Sequence, residues 1–148
     1  MKVKVMRLRK DIPLPQYRHQ GDAGVDLFNA AEEISLKPQE RALIPTGIRV
    51  AVPSGYELQI RPRSGLAINK GLTILNTPGT VDSTYRGEVK VIIFNTSPKE
   101  TIKIKRGERI AQAVLKKVEP IEWEECEGLD ETARNEGGFG STGNSVDS

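Results

Sequence analysis

The chain has 148 residues, 28% of them charged, with 22 basic against 20 acidic groups and a formal charge of +2. That length suits one domain with a real core, and the even charge balance argues against nucleic-acid binding through a basic stripe. A single cysteine, Cys126, and a single histidine, His19, exclude an internal disulfide, a Cys-rich zinc site and any Ser-His or His-metal cluster within one chain.

Met1 is followed by alternating Lys and Val, without an apolar run of the kind that exports or anchors a protein. A soluble, cytoplasmic protein with no membrane partner is the expectation. Further along, Ile48, Val50 and Val52 alternate with Arg49 and Ala51; Pro53-Ser54-Gly55 then reads as a turn. Tyr56, Leu58 and Ile60 alternate with Glu57, Gln59 and Arg61, so the stretch predicts a hairpin with one buried face. About one turn of helix is predicted near Leu66 to Lys70, after Ser64-Gly65. Val89, Val91 and Ile93 resume the strand pattern, followed by Ile102 and Ile104, then Ile121 and Trp123. Many short strands punctuated by Pro and Gly predict an all-β sandwich, barrel or jelly roll.

Composition shifts at Gly128, which divides the chain into a β domain over 1–127 and an arm over 128–148. Apolar residues thin out in the arm, and Gly137, Gly138, Gly140 and Gly143 fall within seven positions. Composition alone describes a solvated terminus. Phe139, a lone ring among glycines, and Arg134 upstream point instead to a flap that closes over a ligand.

The stretch Gly79 to Val91, GTVDSTYRGEVKV, carries the most chemistry. Asp82 and Tyr85 stand three apart between glycines, a spacing at which a turn lets two side chains converge. An acid beside a flat ring suits a pocket that holds a ring-bearing substrate and activates water next to it. Seen alone, the same residues are an ordinary Asp-Ser turn.

Five segments in order now resemble the trimeric dUTP nucleotidohydrolase (dUTPase) family. They are DAGVDL (Asp22 to Leu27), PRSGLA (Pro62 to Ala67), GTVDSTYRGEV (Gly79 to Val89), GERIAQ (Gly107 to Gln112) and RNEGGFGSTG (Arg134 to Gly143). The resemblance implies a jelly-roll-like β-barrel subunit that forms a homotrimer, with sites shared between subunits and the arm closing over a neighbour's site. The implied reaction is hydrolysis of dUTP to dUMP and pyrophosphate with Mg²⁺. It keeps uracil out of DNA and supplies dUMP for thymidylate synthesis.

Cleavage at the α-phosphorus needs an in-line water, a base to deprotonate it, and cations on the triphosphate. Asp82 resembles the family's water-activating carboxylate, Tyr85 its ring on the deoxyribose, and Asn76 its uracil-reading amide. Arg63 and Ser64, with Gly65 opening the short helix, resemble phosphate contacts; alone they are an exposed Arg and a plain N-cap. Asp26 resembles a carboxylate that supports the metal through water, or it is a structural hydrogen-bonding residue. Gln112 resembles a polar residue near the phosphates, although a lone Gln on a strand is also a common structural residue. In the arm, Arg134 resembles the γ-phosphate clamp and Phe139 the ring over the uracil. Gly140, Ser141 and Thr142 resemble further phosphate donors.

Thr84 stands where the family usually has an acid, and Asn135 where it usually has Gly. Alternatives to dUTP hydrolysis are a dCTP deaminase or bifunctional enzyme on the same fold, and a nucleotide-switched regulatory binding protein. No second acid beside Asp82 supports ring deamination, and Asp82, Arg63 and Arg134 are all present, as hydrolysis requires.

Overall fold

The computed structural model describes residues 1–141 and 143. Along the chain come β1 (Lys4–Arg7), β2 (Val25–Phe28), β3 (Ile34–Leu36), β4 (Arg41–Ala51) and β5 (Tyr56–Arg61). The helix α1 (Ser64–Lys70) follows, then β6 (Leu72–Ile74), β7 (Gly79–Val81), β8 (Glu88–Asn95), β9 (Ile102–Ile104) and β10 (Arg109–Lys117).

Two four-stranded sheets run β1-β4-β8-β6 and β2-β10-β5-β7, and β3-β9 forms a separate ribbon; all pairings are antiparallel. The strands carry the period of two that puts alternate side chains on one face. In β8, Val89, Val91, Ile93 and Asn95 are buried while Lys90 is exposed. Ile44, Ile48 and Val50 of β4 join them, and the other sheet contributes Leu27, Ile60, Ile110 and Ala113 to the same cluster. This is an all-β, jelly-roll-like chain, as the strand pattern predicts, except that Ile121 and Trp123 lie outside any strand and are exposed.

The expected hairpin is not formed. β4 pairs with β1 and β8, whereas β5 pairs with β10 and β7, so the two strands lie in different sheets. The turn itself is present, with Tyr56 N donating to Pro53 O at 3.1 Å. It carries the chain across the sandwich, because both strands bury their apolar faces against the opposing sheet rather than side by side.

The predicted turn of helix is seven residues long and starts at Ser64. Its N-cap is Arg63, in an extended conformation and without a capping side-chain bond, so Ser64 is the first helical residue and not the cap. Gly71 ends the helix at φ 62, a left-handed turn that glycine adopts without a Cβ clash, its N–H donating to Ala67 and Leu66 carbonyls.

Two asparagines are fully buried and tie the small ribbon to the sandwich. Asn29 donates to Glu32 O, Ile104 O and Lys105 O and accepts from Ala31 N. Asn95 donates to Leu36 O, Lys37 O and Glu100 O at 3.1, 3.0 and 2.8 Å, and accepts from Ser97 N. Each amide bonds backbone groups on and beside the β3-β9 ribbon. Among the described residues, no helix is long and apolar enough to cross a membrane.

Candidate functional site

Residues 82–87 leave β7 in one sheet and enter β8 in the other, so they form a crossover rather than an edge loop. Tyr85 N donates to Asp82 O at 3.1 Å, the turn that the spacing of the two residues predicts. Arg86 Nη1 braces it, donating to Ser83 O at 2.7 Å and Tyr85 O at 2.8 Å. The Tyr85 hydroxyl donates to Glu88 O at 3.0 Å, so the ring is held back along the chain. Residues 75–78 make a second crossover, from β6 to β7, and carry Asn76. Its amide lies against Gly79, where an added Cβ would stand 3.3 Å from Nδ2.

Asn76, Asp82 and Tyr85 therefore line one cavity, with Thr80, Gly87 and Glu88 around them. Asp82 is exposed, and among the described residues no side-chain hydrogen bond or ion pair engages its carboxylate. An unengaged carboxylate can accept a proton from water. Thr84 is exposed in the same turn and lines a neighbouring cavity with Thr80, Asp82 and Ser83.

A second cluster forms on the other sheet. β10 is its spine: Gln112 lies opposite Asp26 of β2 on one side and Arg61 of β5 on the other. Asp26 accepts from Arg63 Nε at 2.8 Å through Oδ1 and pairs with Arg109 Nε at 3.0 Å through Oδ2. The Arg109 guanidinium also sits over the Phe28 ring, 5.5 Å from its centroid. Gln112 Nε2 donates to Pro62 O at 2.8 Å, fixing the backbone just before Arg63. Gly24 lies under the Gln112 amide: a Cβ there would stand 2.7 Å from Gln112 Oε1, so the amide would have to shift. Asp26, Gly24 and Gln112 line a cavity with Asp22, while Ser64 and Gly65 are exposed at the start of α1. Arg109 escapes sequence reasoning; its signal is the Arg that opens β10 beside a β-bulge, between Arg109 and Ala111.

The arm adds a third group. Arg134 Nε donates to Gly137 O at 2.7 Å, and Ser141 N donates to Gly138 O at 3.0 Å. Asn135 takes φ 42, in the left-handed region. It meets the strain with reciprocal bonds, Oδ1 accepting from Thr132 N at 2.7 Å and its own N donating to Thr132 Oγ1 at 3.0 Å. Phe139 and Gly140 are exposed, Phe139 at φ 51. Thr142 lies outside the described residues.

Three groups thus form within one chain, but the chain does not bring them together. Among the described residues, the cavity of Asn76, Asp82 and Tyr85 shares no lining residue with that of Asp26 and Gln112. Among the described residues, the arm's side-chain hydrogen bonds close on the arm itself. Also among the described residues, no group of three or more His, Cys, Asp or Glu is placed to hold a metal ion.

A family model described as dUTPase matches residues 10–143. The chain belongs to the dUTPase family. A relative from Fusobacterium nucleatum, named deoxyuridine 5'-triphosphate nucleotidohydrolase, is 56% identical over 144 residues, 97% of each chain. One of the same name from Hydrogenobaculum is 53% identical over 143 residues, covering 97% of this chain and 99% of its own. Among solved structures, a mutant dUTPase of Staphylococcus bacteriophage 80alpha with dUpNHpp superposes at a TM-score of 0.84 and 31% identity. The similarity covers 96% of this chain and 98% of the phage protein. A mutant dUTPase from phage phi11 of S. aureus, solved to describe coordination of a structural Mg(II) ion, gives 0.79 and 27% identity over 87% of this chain and 99% of its own.

Proposed function

We propose that this chain hydrolyses dUTP to dUMP and pyrophosphate by water attack on the α-phosphorus. The observation that carries the reading is the shared cavity of Asn76, Asp82 and Tyr85, on a chain of the dUTPase family. Asp82 is the base: its carboxylate is unengaged and open to water, and a base in that position contributes ~10²–10⁴-fold to a hydrolysis. Tyr85 is the ring against the deoxyribose, and Asn76 reads the uracil edge. Arg63, Ser64, Gly65 and Gln112 meet the phosphates. Arg63 spends Nε on Asp26, which leaves its two terminal amino groups for phosphate oxygens.

The partner in this reading is two further copies of the chain, giving a homotrimer with shared sites. Its support is apolar surface that a lone chain leaves bare. Ile121, Trp123 and Leu129 are 70%, 87% and 88% exposed. The edge strand β1 is exposed along its whole length, beside an open cleft lined by Val3, Val5, Leu14, Ile48 and Leu115. Bare apolar surface and an uncovered strand edge of this kind mark an association site. The arm, residues 128–148, then closes over a neighbour's site with Arg134, Phe139, Gly140, Ser141 and Thr142.

Mg²⁺ fits this donor set as a cation carried on the substrate. Among the described residues there is no cluster of protein ligands, so the ion would draw on phosphate oxygens and water, as Mg²⁺ commonly does. Each Asp26 oxygen keeps a lone pair after accepting from its arginine, enough to hold a water of that shell. Bound there, the ion would neutralise triphosphate charge. A cytoplasmic setting suits an exposed, unpaired Cys126.

The test is product analysis of the purified chain with dUTP and with dCTP in Mg²⁺. dUMP and pyrophosphate from dUTP, with dCTP untouched, is the expected result. Ammonia from dCTP, or binding of dUTP without turnover, would overturn it.

A further inference from the structure

The Tyr85 ring lies directly on Gly87. A Cβ added at Gly87 would stand 2.9 Å from Tyr85 Cε2, and closer still to Cζ and the hydroxyl. Backbone conformation is not what calls for glycine here, since Gly87 is not among the residues with positive φ. The three atoms nearest to such a Cβ all belong to the Tyr85 side chain.

That pose is anchored from the core. The Tyr85 hydroxyl donates to Glu88 O at 3.0 Å, and Glu88 Oε1 accepts from Gly47 N at 3.0 Å. Gly47 is buried at φ 76, where the pairing of β4 with β8 shifts register between Pro45 and Arg49. From the same bulge Thr46 Oγ1 donates to Val89 O at 2.6 Å. A bulge in one strand thus fixes the carbonyl to which a ring on the next crossover is tethered.

We propose that Gly87 is a specificity-determining residue for the sugar, acting by positioning the Tyr85 ring. The inference rests on the reading of Tyr85 as the ring against the deoxyribose. With only hydrogen at position 87, the ring lies flat and fills the space that a 2′-hydroxyl would need. Alanine at 87 pushes it away. The ring is 45% exposed and has solvent to swing into, so the fold absorbs the change and only the site registers it.

The test compares kcat/KM for dUTP and UTP in the full chain and in Gly87→Ala, Tyr85→Ala and the double variant. Gly87→Ala is expected to fold with an unchanged melting temperature and to lose dUTP preference, by up to about 10²-fold, the scale on which a pocket rejects one added hydroxyl. In the Tyr85→Ala background the same change is expected to add nothing, because the clash has gone. If Tyr85→Ala keeps the wild-type preference, the reading of Tyr85 fails. If Tyr85→Ala loses it and Gly87→Ala does not, the role of Gly87 fails. Equal loss for both nucleotides, additive effects in the double variant, or an unfolded Gly87→Ala chain would each overturn it as well.

Discussion

The Arg63 guanidinium is tied to Asp26 from 37 residues away, Nε to Oδ1 at 2.8 Å, while Arg109 holds the other carboxylate oxygen at 3.0 Å. One carboxylate between two arginines sets the direction in which Arg63 presents its free terminal amino groups. In Asp26→Asn one oxygen becomes an amide donor and faces a guanidinium that has no acceptor to offer. Hydrogen bonds to charged groups contribute about 1.5–3 kcal/mol, so kcat/KM for dUTP is expected to fall about ten- to hundredfold. Steady-state kinetics of the variant checks this, and wild-type values would contradict it.

Asp82→Asn keeps the shape of the turn and removes the base. The expected loss is ~10²–10⁴-fold in kcat, with KM little changed, since the side chain is asked to act on water and not on the nucleotide. Single-turnover kinetics with dUTP separates the two parameters. A rise in KM with kcat intact would mark Asp82 as a binding residue.

The two kinds of legibility in this chain differ for a physical reason. Period-two alternation in Val89, Val91 and Ile93 identifies a strand and its buried face, because burial is local. It does not identify the partner strand, and so β4 and β5 read as a hairpin although each pairs within a different sheet. The Asp82–Tyr85 turn was readable because its spacing is short. Arg109 and Glu88 were not, since their roles depend on neighbours brought in by sheet register: Asp26 on β2 and Gly47 in the β4 bulge. Asn29 and Asn95 look like surface residues at strand ends, and only the ribbon folding over them makes them core.

Removing the residues after Glu131 takes away Arg134 and Phe139 and no member of the core cluster. The truncated chain is expected to keep its circular dichroism, melting temperature and trimeric sedimentation while losing most of its activity. Full turnover by the truncated chain would end the flap proposal.

Asn95→Ala strands the buried Leu36 carbonyl and removes the partner of two part-buried carbonyls and one part-buried N–H. A loss of about 3 kcal/mol is expected, the upper range for buried groups left unsatisfied. Urea unfolding at fixed protein concentration reads it as a lower midpoint with an unchanged slope. An unchanged midpoint would show that water replaces the amide.

Trp123 is the chain's single tryptophan and is 87% exposed in the lone subunit. Assembly should cover it, so its fluorescence is expected to be blue-shifted in the trimer and to move red on dilution. A water-exposed spectrum at concentrations where sedimentation gives a trimer would place Trp123 outside the interface.

The central claim, attack by water on the α-phosphorus, is tested most directly by turnover of dUTP in H₂¹⁸O followed by mass analysis of both products. The expected result is one ¹⁸O in dUMP and none in pyrophosphate. Label in pyrophosphate would place the attack on the β-phosphorus and contradict the role given to Asp82.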